Sequence, residues 1–530
     1  MEKKSRNSRK LKIAVVAVIV VLALTGTWSY FALYLPYQES ERERLLTFTT
    51  ILEPRDLDPA LAYDTDSFSI ALNVFDRLVQ YEKSSTEIEP SLATSWDTPD
   101  SKTFIFNLRE GIMFHDSTPF NATSVKYSFD RAMELGGYPS YLFSVIESTE
   151  VLETYKIKFS LYEPFAPFLQ VMAHPAASIV SQDAAETMGT GTDPPIGFNI
   201  NPVGTGPFKF DHWDQRKELV LTANKEYFKG APQLEKLVFK VTLEAAEREA
   251  ELLSGDVDGI FTCPPGVPAE DLTALEDNPD VKVIKGVGSS IEFLGLNTQK
   301  SPLNDIKVRE AVAYAIDYDA IISDAIDGRA ARIGGPVPPN IFGYKNLSLT
   351  QRDVTKAQQL LTEAGYADGF KITLTYNIDN LVRRKTAEVI KDSLSDVGID
   401  VTLEGLDWDS AIEKYTSMEY EMCLNKWIPD YFDADSYLTP QFHSSSLAPY
   451  GANIFGFSDP RVDDLIDQAR STLSEDVRLE AYDEAQERIV EQIPVIFLYV
   501  ADIYDVTRFN VVNWVHSPTE FFYAYDLYKR

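Results

Sequence analysis

The stretch KWIPDYFDADSY, residues 426–437, places Asp430, Asp433 and Asp435 within six residues, just behind Trp427. Carboxylates this close repel one another unless something positive sits among them. Four kinds of chemistry fit the spacing: a calcium loop, a pair of catalytic acids, a socket for a cationic ligand, or a solvated acidic loop with no chemistry at all. Calcium is the weakest of these. An EF-hand-like loop needs alternating oxygen ligands, a Gly at its sixth position and a Glu at its twelfth, and Ala434 and Tyr437 interrupt any such pattern. Glycoside hydrolysis needs two suitably spaced carboxylates, but with 81 acidic residues in the chain such a pair can always be found, so its presence decides nothing.

Other reaction classes are excluded more firmly. The chain has no Walker A pattern, no HExxH and no GxSxG. GTGTDPP and VGTGPF are Gly-rich but lack the spacing and helix start of a phosphate cradle, and serve as turns. The histidines 115, 174, 212, 443 and 516 form no close pair on one helix face, so neither a His-based metal site nor a triad is indicated. Cys263 and Cys423 have no CxxC or CxxH neighbour, which leaves either a single bridge or two buried thiols, with the thiols favoured. A formal net charge of −32 argues against nucleic acid, because phosphate binding needs clustered Lys and Arg. No metal and no cofactor is expected, and no enzymatic activity.

The elements that would position such a loop read as α/β. At 530 residues the chain holds several packed units, and 44% hydrophobic residues supply ample core. Strand-like alternation marks LLTFTTIL, TFIFNL and residues 150–171. Helical patterns mark SFSIALNVFDRLVQY, SVKYSFDRAMEL (with Thr123 or Ser124 as its cap) and AAEREAELLSGDVDGI, which Gly255 stops. Residues 189–207 read as loop. Residues 305–330 read as mainly helical, and residues 355–406 as helix, strand, helix, strand, which implies a parallel or mixed sheet. IPVIFLYVADIYDVTR is again strand-like.

Ahead of all this, residues 1–12 form a basic tail and Ile13–Leu35 runs without a charge. Twenty-three residues of helix cover about 34 Å, enough to span a hydrocarbon core of about 30 Å. Trp28, Tyr30, Tyr34 and Tyr37 cluster at the far end, where headgroups favour aromatic rings. The basic flank stays inside, which puts residues 36–530 on the extracytoplasmic side of the cell membrane behind a single-pass, uncleaved anchor. A cleaved signal peptide is the alternative. The sequons at Asn121 and Asn346 fit an outside location.

Several phrases, in order, resemble the extracellular solute-binding proteins of ABC importers, the peptide/nickel/opine group called family 5. They are LDPALAYDTDSFSIALNVFDRLVQYE, EPSLATSWDTPDSKTFIFNLREGIMFHDSTPFNATSVKYSFDRAM, NPVGTGPFKFDHW, NKEYF, LLSGDVDG, FLGLNTQKSPLNDIKVREAVAYAID, GGPVPPNIFGY, KAQQLLTEAGY and WIPDY. The resemblance covers residues 46–528. It implies a two-lobed periplasmic-binding-protein-like fold (type II, cluster C) with an extra subdomain. Lobe I would comprise 46–75, 200–295 and 492–530, the subdomain 76–199 and lobe II 296–491, with 36–45 as linker. It implies a monomeric receptor that binds peptides in the interlobe cleft and hands them to two permease subunits and their cytoplasmic ATPases. Oligosaccharides, nickel complexes or haem are alternative cargoes, and a non-transport peptide sensor or chaperone-like surface protein is an alternative role.

By the same resemblance, Asp430 takes the ligand's α-ammonium, while Trp427 and Trp408 line side-chain pockets. Tyr431 stands beside Asp430, and Tyr141 and Asp64 face the two tryptophans from lobe I. Asp433 and Asp435 are expected at the surface or as caps. His115, Arg131, Gly204, Gly206 and Pro207 are expected to shape the backbone. Lys426 departs from the family pattern, in which the residue is commonly small, and could pair with a ligand carboxylate or neutralise Asp430. Arg329, Arg332, Arg383 and Arg384 are further cations for a peptide C-terminus.

Overall fold

The computed structural model describes residues 44–530, apart from 51–52, 193, 262–271 and 274. The expected tail, anchor and most of the linker therefore lie outside the described residues, as does Cys263. Among the described residues no helix is long and apolar enough to cross a membrane. Cys423 carries a free, buried thiol.

One mixed sheet of eleven strands runs through two lobes. Its order is Phe208–Asp214, Glu218–Ala223, Lys236–Val241, Leu45–Thr50, Gly259–Ile260, Val495–Arg508, Val281–Leu296, Met422–Trp427, Phe370–Asn377 and Ile399–Leu406, with Ala330–Arg332 paired beside Val495–Arg508. The two longest strands are antiparallel neighbours and join the lobes. Val281–Val287 pairs with residues 502–508, and Ile291–Gly295 with residues 495–500. Between these halves the register slips: Val287 faces Asp502 and Ile291 faces Val500, so Gly288, Ser289 and Ser290 stand opposite Ala501 alone. Such a bulge bends a strand and sharpens its twist. Glycine suits the spot, because a Cβ at Gly288 would lie 2.8 Å from the Ala501 carbonyl oxygen.

Apolar cores follow from this layout. In the first lobe Leu46, Phe48, Phe75, Phe239 and Phe522 pack together. In the second, one sheet face meets the helices Ile306–Ala315, Val354–Glu363 and Leu381–Ser395 through Val312, Leu361, Leu374 and Ile390. The opposite face continues through Ile291, Phe293 and Phe455 into the subdomain around Phe104, Phe129 and Phe159. There a four-stranded antiparallel sheet, Ala93–Asp100, Thr103–Leu108, Lys156–Leu161 and Ile146–Glu153, carries the helix Ala122–Leu135.

Local differences from the sequence reading have local causes. The helix expected to run to Tyr81 stops at Val74. Gly206 donates its N–H to the Val74 carbonyl at 2.9 Å, and a Cβ on Gly204 would sit 2.3 Å from that oxygen, so a neighbouring segment occupies the space the next turn would need. Asn121, not Thr123 or Ser124, caps the helix Ala122–Leu135: its side chain accepts from both of those backbone N–H groups, and Ser124 bonds back in a capping box. Residues 189–207 contain a short hairpin, Thr190–Thr192 with Pro195–Gly197.

Arg131 is a structural cation. It donates to Asp58 through both terminal nitrogens, at 2.9 and 2.5 Å, and Asp58 is fully buried. His115 is equally structural. Its Nε2 lies 3.0 Å from the Gly206 carbonyl while Nδ1 is buried without a partner, so a second ring proton would find no acceptor. Burial lowers its pKa to about 4. The unfolded value is about 6.5, so between these limits the unfolded chain holds more protons. The contribution is complete above about pH 6.5 and is lost as pH falls towards 4. His115→Gln is expected to flatten the dependence of the urea midpoint on pH across that window relative to wild type.

Candidate functional site

The strands Phe370–Asn377, Ile399–Leu406 and Met422–Trp427 are parallel where they pair, and their C-terminal ends point the same way. The segments leaving those ends carry Asn380, Trp408 and Asp430. In open α/β sheets this rim is where ligands bind. The crossing of the two long strands lies beside it, so the rim faces the other lobe.

Asp430 sits three residues past Trp427. Its backbone N–H donates to the Ser436 hydroxyl at 2.9 Å, and the Trp427 indole N–H donates to the Ser436 carbonyl at 2.7 Å. The helix Asp435–Phe442 thus clamps both residues in place. From across the cleft Tyr63 donates its hydroxyl to the Asp430 carboxylate at 2.5 Å, and the Tyr141 hydroxyl lies 3.4 Å from that of Tyr63. Tyr138 completes a cluster, its ring centroid 4.2 Å from that of Tyr63. Burial pushes the Asp430 pKa up, and the two tyrosine hydroxyls pull it partly back. A half-buried carboxylate met by tyrosine hydroxyls suits an organic cation, which would gain a charge-assisted hydrogen bond there.

The repulsion among the three aspartates is resolved by giving each its own partners. Asp433 and Asp435 are neither at the surface nor solvated; both are fully buried. Arg478 donates to Asp433 at 2.7 and 2.9 Å, and Tyr482 adds a hydroxyl at 3.1 Å. Asp435 pairs with Arg470 at 3.3 Å and accepts from Tyr431 and Thr439, each at 2.6 Å. Neither is the cap: the N-cap of the helix Asp435–Phe442 is Ala434, although Asp433 accepts the Asp435 N–H at 3.0 Å. These arginines come from residues 470 and 478, a separation that sequence spacing could not convey. Among the described residues, Asp430 is the carboxylate of the three left without a cation.

The other expected residues fall around it as follows. Tyr141 belongs to the aromatic cluster. Trp408 begins the helix Trp408–Thr416, is 44% exposed, and stands 5.8 Å from the Arg383 guanidinium, measured to the ring centroid. Tyr431 turns its hydroxyl to Asp435, away from Asp430. Asp64 caps the helix Thr65–Val74, accepting from the Ser67 N–H at 2.8 Å and its hydroxyl at 2.6 Å. Asp64→Ala is expected to cost about 1 kcal/mol, as lost N-caps do, in a denaturant titration. Tyr63 and Tyr138 were missed. The available signal was their adjacency to Asp64 and Tyr141 in sequence.

Of the candidate cations, Arg383 is buried and donates to Glu292 at 2.7 and 3.2 Å. Arg329 pairs with Glu276 at 3.2 Å, and the Arg332 guanidinium lies 4.2 Å from the centre of the Tyr318 ring. Lys426 does not neutralise Asp430. It stands opposite Glu292 in the ladder while its neighbour Trp427 stands opposite Ile291 on the other face, and the charges that bear on it are Glu292, Arg383 and Glu520.

Comparison with known proteins gives one consistent answer. Residues 87–448 match the model of the middle region of bacterial extracellular solute-binding proteins, family 5. A probable D,D-dipeptide-binding periplasmic protein of Escherichia coli is 28% identical over 481 residues, covering 89% of this chain and 92% of that protein. A glutathione-binding protein of Shigella flexneri is 30% identical over 475 residues, covering 88% and 91%. Among solved structures, an ABC transporter-associated periplasmic binding protein of Helicobacter pylori, in complex with the peptide STSA, superposes with a TM-score of 0.75 at 30% identity, covering 92% and 99%. HbpA2 from Haemophilus parasuis superposes with a TM-score of 0.83 at 27% identity, covering 92% and 100%.

Proposed function

The chain belongs to the bacterial extracellular solute-binding proteins, family 5, and we propose that it captures peptides in its interlobe cleft, by their free amino terminus, for delivery to an ABC permease. The observation that carries this reading is Asp430: a half-buried carboxylate without a cation among the described residues, facing Tyr63 and Tyr141 across the cleft. Dipeptide-, glutathione- and peptide-binding relatives support the cargo class.

In this reading the α-ammonium replaces the Tyr63 hydroxyl on Asp430, and Trp427 and Trp408 flank the first side chains. Asp64 and Tyr431 act by fixing the segments that present Tyr63 and Asp430. Lobe I is formed by 46–75, 200–295 and 492–530, the subdomain by 76–199 and lobe II by 296–491. The hinge lies in the bulge at residues 288–290 opposite Ala501. A ligand cation that satisfies Asp430 favours the closed state, since only there does it contact both walls. The segment 13–35 holds the receptor at the membrane as a monomer, and the permease subunits and their ATPases receive the cargo.

Thermal unfolding of residues 44–530 with a mixed peptide pool, beside the same pool N-acetylated, tests the reading. A ligand that binds only the folded protein raises its melting temperature. The expected result is a rise with free amines that acetylation abolishes. Equal rises would remove the amine role from Asp430. No rise with either pool would overturn peptides as cargo and turn the assay to oligosaccharides, nickel complexes and haem.

A further inference from the structure

A cavity of about 280 Å³ lies where the two crossing strands meet the second lobe, lined among others by Ser290, Glu292, Asn380, Lys426, Tyr499 and Ala501. Leu272 closes it from the first-lobe side and Ala325, Ile326, Asp327 and Arg329 from the second. It therefore opens at the same rim as Asp430, on the opposite face of the Met422–Trp427 strand. The groups in its wall are mostly satisfied. Glu292 is bound by Arg383 at 2.7 Å, Asp502 by Lys285 at 2.7 Å, and Arg329 by Glu276 at 3.2 Å. Glu520, nearby, accepts from the Ser289 hydroxyl at 2.8 Å, and Asp327 is exposed.

Lys426 is the exception. Its ammonium has no hydrogen bond and no ion pair among the described residues, although Glu292 stands directly across the ladder, because both Glu292 oxygens are turned to Arg383. Burial lowers its pKa, the direction taken by an ammonium that has lost water without gaining a counterion. The Ser290 hydroxyl and the Asn380 amide nitrogen, also in the wall, likewise donate to nothing among the described residues. A lone cation with two spare neutral donors is a receptor for a carboxylate.

We infer that Lys426 is a specificity-determining residue that pairs with a carboxylate of the bound ligand, seated in this cavity with Ser290 and Asn380 as its additional donors. The inference rests on the peptide reading for the ligand's remaining parts and adds its second charged anchor. The carboxylate is either the ligand's C-terminus or an acidic side chain; both present the same two oxygens to the ammonium.

Calorimetric titration of wild type, Lys426→Met and Lys426→Arg separates the possibilities. Methionine keeps the aliphatic stem, and arginine keeps the charge in case the cavity collapses without it. The probes are Ala-Ala-Glu, its C-terminal amide, Ala-Ala-Gln, and N-acetylated Ala-Ala-Glu, with glutarate and glutaramide as peptide-free probes in thermal unfolding. Ala-Ala-Glu is expected to bind Lys426→Met at least tenfold more weakly than wild type, with Lys426→Arg retaining much of the affinity. The penalty should vanish for whichever probe lacks the paired carboxylate: the amide if the C-terminus is held, Ala-Ala-Gln if the side chain is. Glutarate, but not glutaramide, should raise the wild-type melting temperature and leave Lys426→Met unmoved. Equal affinity of wild type and Lys426→Met for every peptide would overturn the inference while leaving the amine socket standing. If no peptide binds wild type, the peptide reading fails, and glutarate still decides on Lys426: no shift, or the same shift in Lys426→Met, would overturn it.

Discussion

Asp430→Asn is expected to weaken binding of free-amine peptides by roughly 30- to 150-fold, and to leave affinity for N-acetylated peptides nearly unchanged. The substitution keeps the shape of the side chain and its capacity to accept from Tyr63, but removes the charge. A hydrogen bond to a charged group contributes about 2–3 kcal/mol where water is excluded, and each 1.4 kcal/mol is tenfold in affinity. Burial already pushes the Asp430 pKa upward, so the free protein should gain rather than lose stability from the neutral amide. That sign separates a binding role from a structural one. Affinity in wild type should also fall as pH drops through the raised pKa, because only the ionised carboxylate attracts the ammonium, and the Asn variant should lack this dependence. Isothermal titration from pH 4 to pH 8 reads both effects. A variant that binds free and acetylated peptides as wild type does would show that the socket is elsewhere.

The largest effect on stability is expected from Arg478→Met, about 3–5 kcal/mol of destabilisation in a urea titration. Arg478 is the cation on Asp433, whose side chain is wholly removed from water. Without it, a buried carboxylate is left with only the Tyr482 hydroxyl and the Asp435 N–H. Breaking one side of such a pair costs far more than replacing both. The double variant Asp433→Asn, Arg478→Met should therefore recover most of the loss. The single variant's deficit should shrink as pH falls, because protonation neutralises the stranded Asp433, whose pKa burial already raises. Additive losses in the double variant, or a deficit independent of pH, would show that stacking of the Arg478 guanidinium on Phe342 and Tyr482 dominates instead.

The acidic loop shows how far sequence reasoning reaches. WIPDY identifies Asp430 because its neighbours in sequence also fix it in space: Trp427 and Ser436 clamp it from within ten residues. Asp433 and Asp435 looked like surface residues because their cations lie more than thirty residues on, across two helices. The longest strand, Val281–Leu296, was equally hard to read. Gly286, Gly288 and two serines break its alternation at the point where it changes lobes, so the pattern that marks a strand is weakest where the strand matters most.

The sequence by itself determined the α/β character and the family, and singled out Asp430 as the candidate amine socket, because periodicity, caps and short motifs act over a few residues and are written in order along the chain. Only the tertiary structure decided which tyrosines meet Asp430, which arginines neutralise its neighbours, and that Lys426 faces a cavity with no counterion among the described residues. Each of those depends on charges and rings brought together from distant parts of the chain, with Tyr63 and Asp430 separated by 367 positions. Burial then sets their energies, and burial is a property of the assembled lobes rather than of any local stretch.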